Sequence, residues 1–251
     1  AWRESGGWRT ERVTGATDRE TALAIDAAGR LHLVAAEIVL GGDDRVLYLR
    51  RDGAGWKTLA TIALAPDLRG RPALALDQGG KQIHVSYGLG TGQLYYRTGD
   101  TTGTFAPPVE IAAGITVPGS RMALARGGTL HVLFARDDVH DLLHSTRTGP
   151  SSFAKEARLA EVSAVAGSVP GRFSAIVQGG QGPLWVVFAG DTNKLTVMHR
   201  AGATWSTPQV LGACCGTQLA ADVDGEGALH VAHWDTAQRK VRHTKICPPA
   251  N

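Results

Sequence analysis

The sequence predicts an all-β fold, a five-bladed β-propeller, and three observations carry that prediction. A strand motif recurs five times, as Leu31-His32-Leu33-Val34, Ile83-His84-Val85-Ser86, Leu130-His131-Val132-Leu133, Leu184-Trp185-Val186-Val187 and Leu229-His230-Val231-Ala232. The second positions are 52, 47, 54 and 45 residues apart. Glycine fills 32 of 251 positions, evenly spread, against roughly 7% in ordinary chains, as a fold with many tight turns requires. No helical periodicity of useful length interrupts the pattern.

Each unit has the same order of elements. An alternating first strand comes before a glycine turn, as in Ala22-Leu23-Ala24-Ile25-Asp26 before Gly29 and Ala73-Leu74-Ala75-Leu76-Asp77 before Gly79-Gly80. The recurring motif is the second strand. A third follows, such as Val46-Leu47-Tyr48-Leu49 or Gln93-Leu94-Tyr95-Tyr96. A turn and an aromatic residue (Trp56, Phe105, Phe153, Trp205) then open the fourth. Four short strands per repeat at this period read as a propeller blade. The blades are expected at 21–62, 72–111, 121–160, 172–211 and 218–247, in one domain spanning 1–251. The last unit lacks a fourth strand. Residues 6–13 align with the fourth strands through Trp8, Trp56 and Trp205, so the N-terminal strand is expected to complete the last blade and close the ring, which would remove sheet edges.

Composition excludes several classes. With 43% hydrophobic residues and a net charge of +3, the chain can bury a core. No apolar run reaches the roughly 18 residues of a membrane-spanning helix. Lys and Arg form no block or stripe, so no nucleic-acid partner is expected. No charged segment followed by an apolar run stands at Ala1, so a mature secreted or periplasmic chain, and a monomer, is expected. No phosphate loop, dinucleotide motif or Ser-His-Asp signature occurs.

Met198-His199-Arg200-Ala201-Gly202-Ala203-Thr204-Trp205 resembles the Asp-box, or bacterial neuraminidase repeat, S-x-D-x-G-x-T-W. Gly-x-Thr-Trp is in frame, whereas the Ser and Asp are absent. Thr98-Gly99-Asp100 through Gly103-Thr104-Phe105 is a second degenerate copy with one extra residue. The resemblance implies a sialidase-like propeller and names no single activity. In such blades the loops from fourth to first strand and from second to third strand share one face. Ligands are expected there, near the axis, on loops held by a rigid scaffold.

Arg71, Arg121 and Arg172 each precede a first strand, so three guanidinium groups are expected to converge near the axis. They would clamp a carboxylate or sulfate through paired hydrogen bonds. Sialidases hold a carboxylate with an arginine triad, and Arg71-Pro72 looks like their R-I-P. The competing reading is that each arginine pairs with a loop carboxylate and staples a blade.

His32, His84, His131 and His230 hold one equivalent position. Four equivalent imidazoles raise a metal site, but the second strand is one step from the axis, so buried structural histidines are expected and no cofactor is required. Some propeller polysaccharide lyases resemble this pattern and use histidine there as acid or base. Cys214-Cys215 lies on the loop face, as free thiols or as a vicinal disulfide forming a flat plate for a sugar. Cys247 is expected on the other face, beyond the roughly 7 Å between Cα atoms that a disulfide tolerates, and so free or intermolecular. Trp234, beside Asp235, is placed in a loop as a sugar platform with a hydroxyl acceptor. Glu20 fills the arginine slot in the first blade and, with Asp235 or Asp18, is the candidate hydrolytic carboxylate.

The expected function is a carbohydrate-recognising, lectin-like propeller, reading glycans, including acidic ones, through Arg71, Arg121, Arg172, Trp234, Asp235, Cys214 and Cys215. Two alternatives stand beside it: a glycoside hydrolase or polysaccharide lyase, and a metal-binding or structural propeller.

Overall fold

The computed structural model describes residues 2–4, 7–11, 13, 17–53, 55–115, 119–136, 141–162, 174–179, 182–190, 194–213, 219–235 and 238–248. Among them are strands and turns and no helix. The strands build five antiparallel sheets of three to five strands and one separate two-stranded hairpin.

The first blade comprises Thr17–Ile25, Leu31–Ile38, Asp44–Asp52 and Gly55–Ala65, paired in that order. The second comprises Leu68–Leu76, Gln82–Leu89, Leu94–Asp100 and Val109–Ala112. In the third and fourth blades the last strand is split. Ser152–Phe153 and Ala157–Glu161 both pair with Asp141–Gly149, and Thr204–Trp205 and Gln209–Ala213 both pair with Lys194–Ala201. Those blades begin with Ser120–Leu124 and Leu130–Arg136, and with Ser174–Val177 and Leu184–Ala189. The fifth has Leu219–Val223, Leu229–Asp235 and Lys240–Ile246.

A blade sandwiched between two others must be apolar on both faces. The middle strands therefore read as continuous hydrophobic runs rather than strict alternation. Leu184–Ala189 is buried at every position. Each seam is a cluster drawn from two neighbouring blades. Val34, Val46, Tyr48 and Ile62 of the first meet Ile83, Val85 and Tyr87 of the second. Leu133 and Leu142 of the third meet Val186, Phe188 and Met198 of the fourth. Each such side chain contributes about 1.5–3 kcal/mol of burial. First strands of successive blades touch in turn, from Thr17–Ile25 through to Leu219–Val223. This radial stacking places the start of every blade at the axis.

The seam between fifth and first blades differs. Leu74 and Leu76 pack against the first blade. Their counterparts Leu23 and Ile25 are 59% and 65% exposed. Val46 is buried at its seam, whereas its counterpart Val241 is 68% exposed and Trp234 beside it 37%. The expected pairing of residues 6–13 with the last blade is also not what the described strands do. Gly7–Arg9 pairs with Trp2–Glu4, in the register Trp2↔Arg9 and Glu4↔Gly7. Strands so close in sequence close a hairpin at small entropic cost, which favours this partner over a distant one. Further along, Glu11 reaches Arg51 at 3.3 Å, and Val13 packs on Leu33, Ala35, Leu47 and Leu49 of the first blade.

Candidate functional sites on the two faces

On the loop face, the arginines at the blade starts have partners. Arg71 of the second blade donates through Nε to Glu20 of the first at 2.7 Å, with the guanidinium half-exposed and the carboxylate largely covered. Arg121 of the third donates through Nη1 to the Ser120 carbonyl at 3.0 Å. Arg172 lies outside the described residues, as do Cys214 and Cys215. The structure thus brings Glu20 and Arg71 together across a seam.

Asp235 and Trp234 occupy the strand Leu229–Asp235, not a loop, because the ladder continues through Trp234↔Val241 and Asp235↔Lys240. Successive strand residues point to opposite faces. Asp235 is accordingly buried, bridged to Arg242 at 2.7 Å and accepting the Gln238 N–H at 3.0 Å, while Trp234 is partly exposed. They do not form one platform. Glu20 and Asp235 are each bound to an arginine of their own. The side chain of Asp18 is not among those described. Asp44, the first residue of the third strand of its blade, accepts the Val39 N–H at 3.1 Å and the Leu68 N–H at 3.2 Å, tying the loop before it to the next blade. Cys247 is exposed and free of any disulfide.

The repeated histidines sit in the seams, each stacked within its own blade. His32 stacks on Tyr48 and His84 on Tyr96, each ring Nδ1 hydrogen-bonded to the tyrosine hydroxyl at 2.7 Å; at His32, whose Nε2 faces Asp26, the tyrosine is the donor. His131 stacks on His144, and His230 on His243. An aromatic from the following blade stands edge-on against three of the third-strand rings. Phe105 meets Tyr48, Phe153 meets Tyr96, and Trp205 meets His144. Among the described residues no three His, Cys, Asp or Glu side chains gather as metal ligands would.

The hydrogen-bond partners of these histidines were not evident from their spacing alone. In the first blade Asp26 Oδ1 accepts the Ala28 and Arg30 N–H groups at 2.9 Å, and Oδ2 faces His32 Nε2 at 3.1 Å. In the fifth, Asp224 Oδ1 accepts from Glu226 and Ala228, and Oδ2 faces His230 Nε2 at 2.9 Å. Burial pushes the Asp26 carboxyl up, but hydrogen bonds from the Arg30 backbone, His32 and the Arg30 side chain outweigh it and hold the group well below the usual range. The His230 hydrogen bond and those of the turn hold Asp224 down likewise. The signal is legible as Asp-x-x-Gly-x-x-His in Asp26–His32 and Asp224–His230. The second blade has one residue more, and Asp77 instead accepts from the Lys81 and Gln82 N–H groups. In the third blade the aspartate is replaced by Ala125.

That replacement coincides with a cavity of ≈ 800 Å³ on the face opposite the loops. It spans the turns of the third, fourth and fifth blades. Ala125, Arg126, Thr129 and His131 line one side; Gln178, His199 and Arg200 line the other, with Glu226 at the rim. Arg200 donates through Nη1 to His131 Nδ1 at 3.3 Å, and its own Nε is buried without a partner. Burial and the Arg200 charge draw the His131 pKa down to about 4. At neutral pH the ring is therefore uncharged. Arg200 cannot accept a hydrogen bond, so Nδ1 is the acceptor and the proton resides on Nε2.

Five antiparallel sheets whose first strands touch in turn define the class, a β-propeller. No family model and no curated protein matches the chain. Among solved structures it is similar to a lectin from Burkholderia pseudomallei, at 15% identity and a TM-score of 0.68, over 92% of this chain and 67% of that one. It is similar to a mutant of Aleuria aurantia lectin in complex with Fucα1-6GlcNAc, at 16% identity and 0.60, over 90% and 74%. A Hadza microbial sialidase aligns at 13% identity and 0.59, over 90% of this chain and 56% of its own, so the chain spans little more than half of that enzyme. At these identities the likeness is one of fold.

Proposed function

We propose that this chain is a carbohydrate-recognising, lectin-like propeller with a ligand site on the loop face near the axis. The observation that carries the reading is the Arg71–Glu20 pair across the first seam, at the start of the inner strands and with the guanidinium half-exposed. A guanidinium beside a carboxylate presents donors and acceptors a few ångströms apart, which matches the vicinal hydroxyls of a sugar ring. Glu20 takes up the charge of Arg71, so that pair suits a neutral sugar edge. An acidic glycan on this face would rely on Arg121 and Arg172. Neighbouring folds that are glycan-bound or named as lectins support the class of ligand. A secreted or periplasmic location fits such a role.

The test is a glycan and polysaccharide panel read by mass spectrometry, with Arg71→Ala and Arg121→Ala alongside the parent chain. Retention of one glycan class without mass change, weakened about tenfold or more in Arg71→Ala, is the expected result. A mass change would make the chain an enzyme, with Glu20 as the first carboxylate to replace; a sialidase among the neighbouring folds keeps that reading in play. Silence across the panel would remove the carbohydrate reading.

A further inference from the structure

The third blade closes its turn with the same two backbone hydrogen bonds as the first and fifth, without the carboxylate. Asp26 N–H donates to the Arg30 carbonyl at 3.0 Å and Gly29 N–H to the Asp26 carbonyl at 2.9 Å. Ala125 N–H donates to the Thr129 carbonyl at 2.8 Å and Gly128 N–H to the Ala125 carbonyl at 2.9 Å. Both backbone hydrogen bonds are thus kept, but Gly127 has φ of 94° where its counterparts Ala28 and Glu226 are not left-handed, so the peptide between Arg126 and Gly127 is turned over. In the first blade the Asp26 carboxylate receives the N–H groups two and four residues on and faces the ring Nε2. At Ala125 the corresponding donors are the Thr129 N–H and His131 Nε2–H, the Gly127 N–H being turned away by its left-handed backbone, and a methyl group stands where the carboxylate would be. His131 is 3% exposed, its Nδ1 is engaged by His144 and Arg200, and its Nε2 is directed as in His32, toward the turn. Two donors, the Thr129 N–H and His131 Nε2–H, stand at a place from which the acceptor has been removed.

The surroundings favour an anion there. Arg126 and Arg200 line the cavity against the single carboxylate of Glu226 at its rim. Nothing among the described residues accepts from Arg200 Nε. At ≈ 800 Å³ the space is far larger than a carboxylate. It lies in the range of pockets that enclose a whole small ligand, roughly 300–1,000 Å³. Thr129 and Thr146 add neutral hydrogen-bonding groups of the kind that meet hydroxyls, while Gln178 braces the cavity, accepting the Arg126 N–H and donating to the Gly182 carbonyl, each at 3.0 Å.

We propose that this cavity is a second binding site, on the face opposite the loops, for a sugar acid whose carboxylate occupies the slot that aspartate fills in the first and fifth blades. The guanidinium groups and the Thr129 N–H take the carboxylate, the neutral His131 donates Nε2–H, and the hydroxyls lie along Thr129 and Thr146. The carboxylate slot follows from this chain's own repeat. The sugar rests on the carbohydrate reading above, although the site is a different one.

The experiment titrates the full chain with methyl glucuronide, methyl glucoside and succinate, by calorimetry at neutral pH. The glucuronide is expected to bind at least about tenfold more tightly than either other probe. Ala125→Asp restores the internal carboxylate. It should abolish glucuronide binding while leaving the unfolding midpoint unchanged or raised. Arg126→Ala, at an exposed turn position, should weaken binding about tenfold. Equal binding of glucuronide and glucoside, or glucuronide binding that survives Ala125→Asp, would overturn the proposal. Succinate binding as tightly as the glucuronide would overturn the sugar acid as the ligand. The loop-face reading fails separately. Neutral glycans retained by the parent chain and by Ala125→Asp alike, with no glucuronide preference, would sink only this second site.

Discussion

His32 is held from both sides of its ring, by the Tyr48 hydroxyl at Nδ1 and by Asp26 at Nε2. Such an imidazole is a structural strut, and the same holds where the partners change. Burial pulls His84 down to about 4 and His144 to about 3, and His131 to about 4. These rings are neutral in the folded chain near neutral pH, whereas in the unfolded chain they take a proton near about 6.5. The unfolded state therefore binds more protons between the two values, and stability rises with pH there. The contribution is complete above the unfolded value and is lost as pH falls toward the folded ones. Urea midpoints are expected to drop steadily from pH 7 to pH 4.5 and to change little from pH 7 to pH 8. A flat profile across pH 4.5–7 would mean that the buried rings are protonated without penalty.

At the scale of the element, the turns carry as much specification as the strands. Asp100 receives the Thr102 and Thr104 N–H groups and the Thr102 hydroxyl, and these bonds, the hydroxyl's foremost, lower its pKa. This is the turn of the degenerate Asp-box copy, and its carboxylate shapes the loop. Gly103 within it has φ of 101°, and a Cβ there would stand 2.7 Å from the Leu59 carbonyl oxygen of the preceding blade. Both the left-handed backbone and the close seam demand glycine. Gly103→Ala should cost at least about 1 kcal/mol, read as a fall in urea midpoint, while Gly53→Ala, with open space around it, should cost only the backbone strain. Equal losses at both positions would show that the seam yields at Gly103. The resemblance that pointed to a sialidase-like propeller rested on this turn chemistry, which is why it pointed to architecture and to no single activity.

For the whole molecule, four seams are filled by apolar clusters shared between two blades, whereas at the fifth–first seam Leu33, Ala35, Leu47 and Leu49 of the first blade are covered by Val13 and Trp56. Ile25 and Val241 belong to the faces that would meet there. Ile25→Lys and Val241→Lys should each shift the unfolding free energy by no more than about 0.5 kcal/mol. Val85→Lys, at a buried seam position, should leave the chain unfolded, because an unpaired charge would be buried. A loss at Ile25→Lys comparable to a core substitution would mean that the first and fifth blades meet in solution and the ring closes. The blade count and the strand order were legible in the repeat, because a strand buried on both faces needs an unbroken apolar run and its turns need glycine. The partner of Gly7–Arg9 was not legible. Its likeness to the fourth strands says what it can pair with, and loop length decided what it does pair with.

Local apolar patterning and turn residues dictate five units of short strands and the histidine position, so both were legible without the fold. The sequence also contained the aspartate of the turn and its absence at Ala125, a signal visible only once that aspartate was known to face the histidine. Tertiary structure alone decided which charges meet. Glu20 and Arg71 come from different blades, and Trp234 and Asp235, adjacent in the chain, are sent to opposite faces of a strand. The cavity was beyond sequence spacing for the same reason: it is assembled from three blades, and the distance between their turns is set by how the sheets stack around the axis.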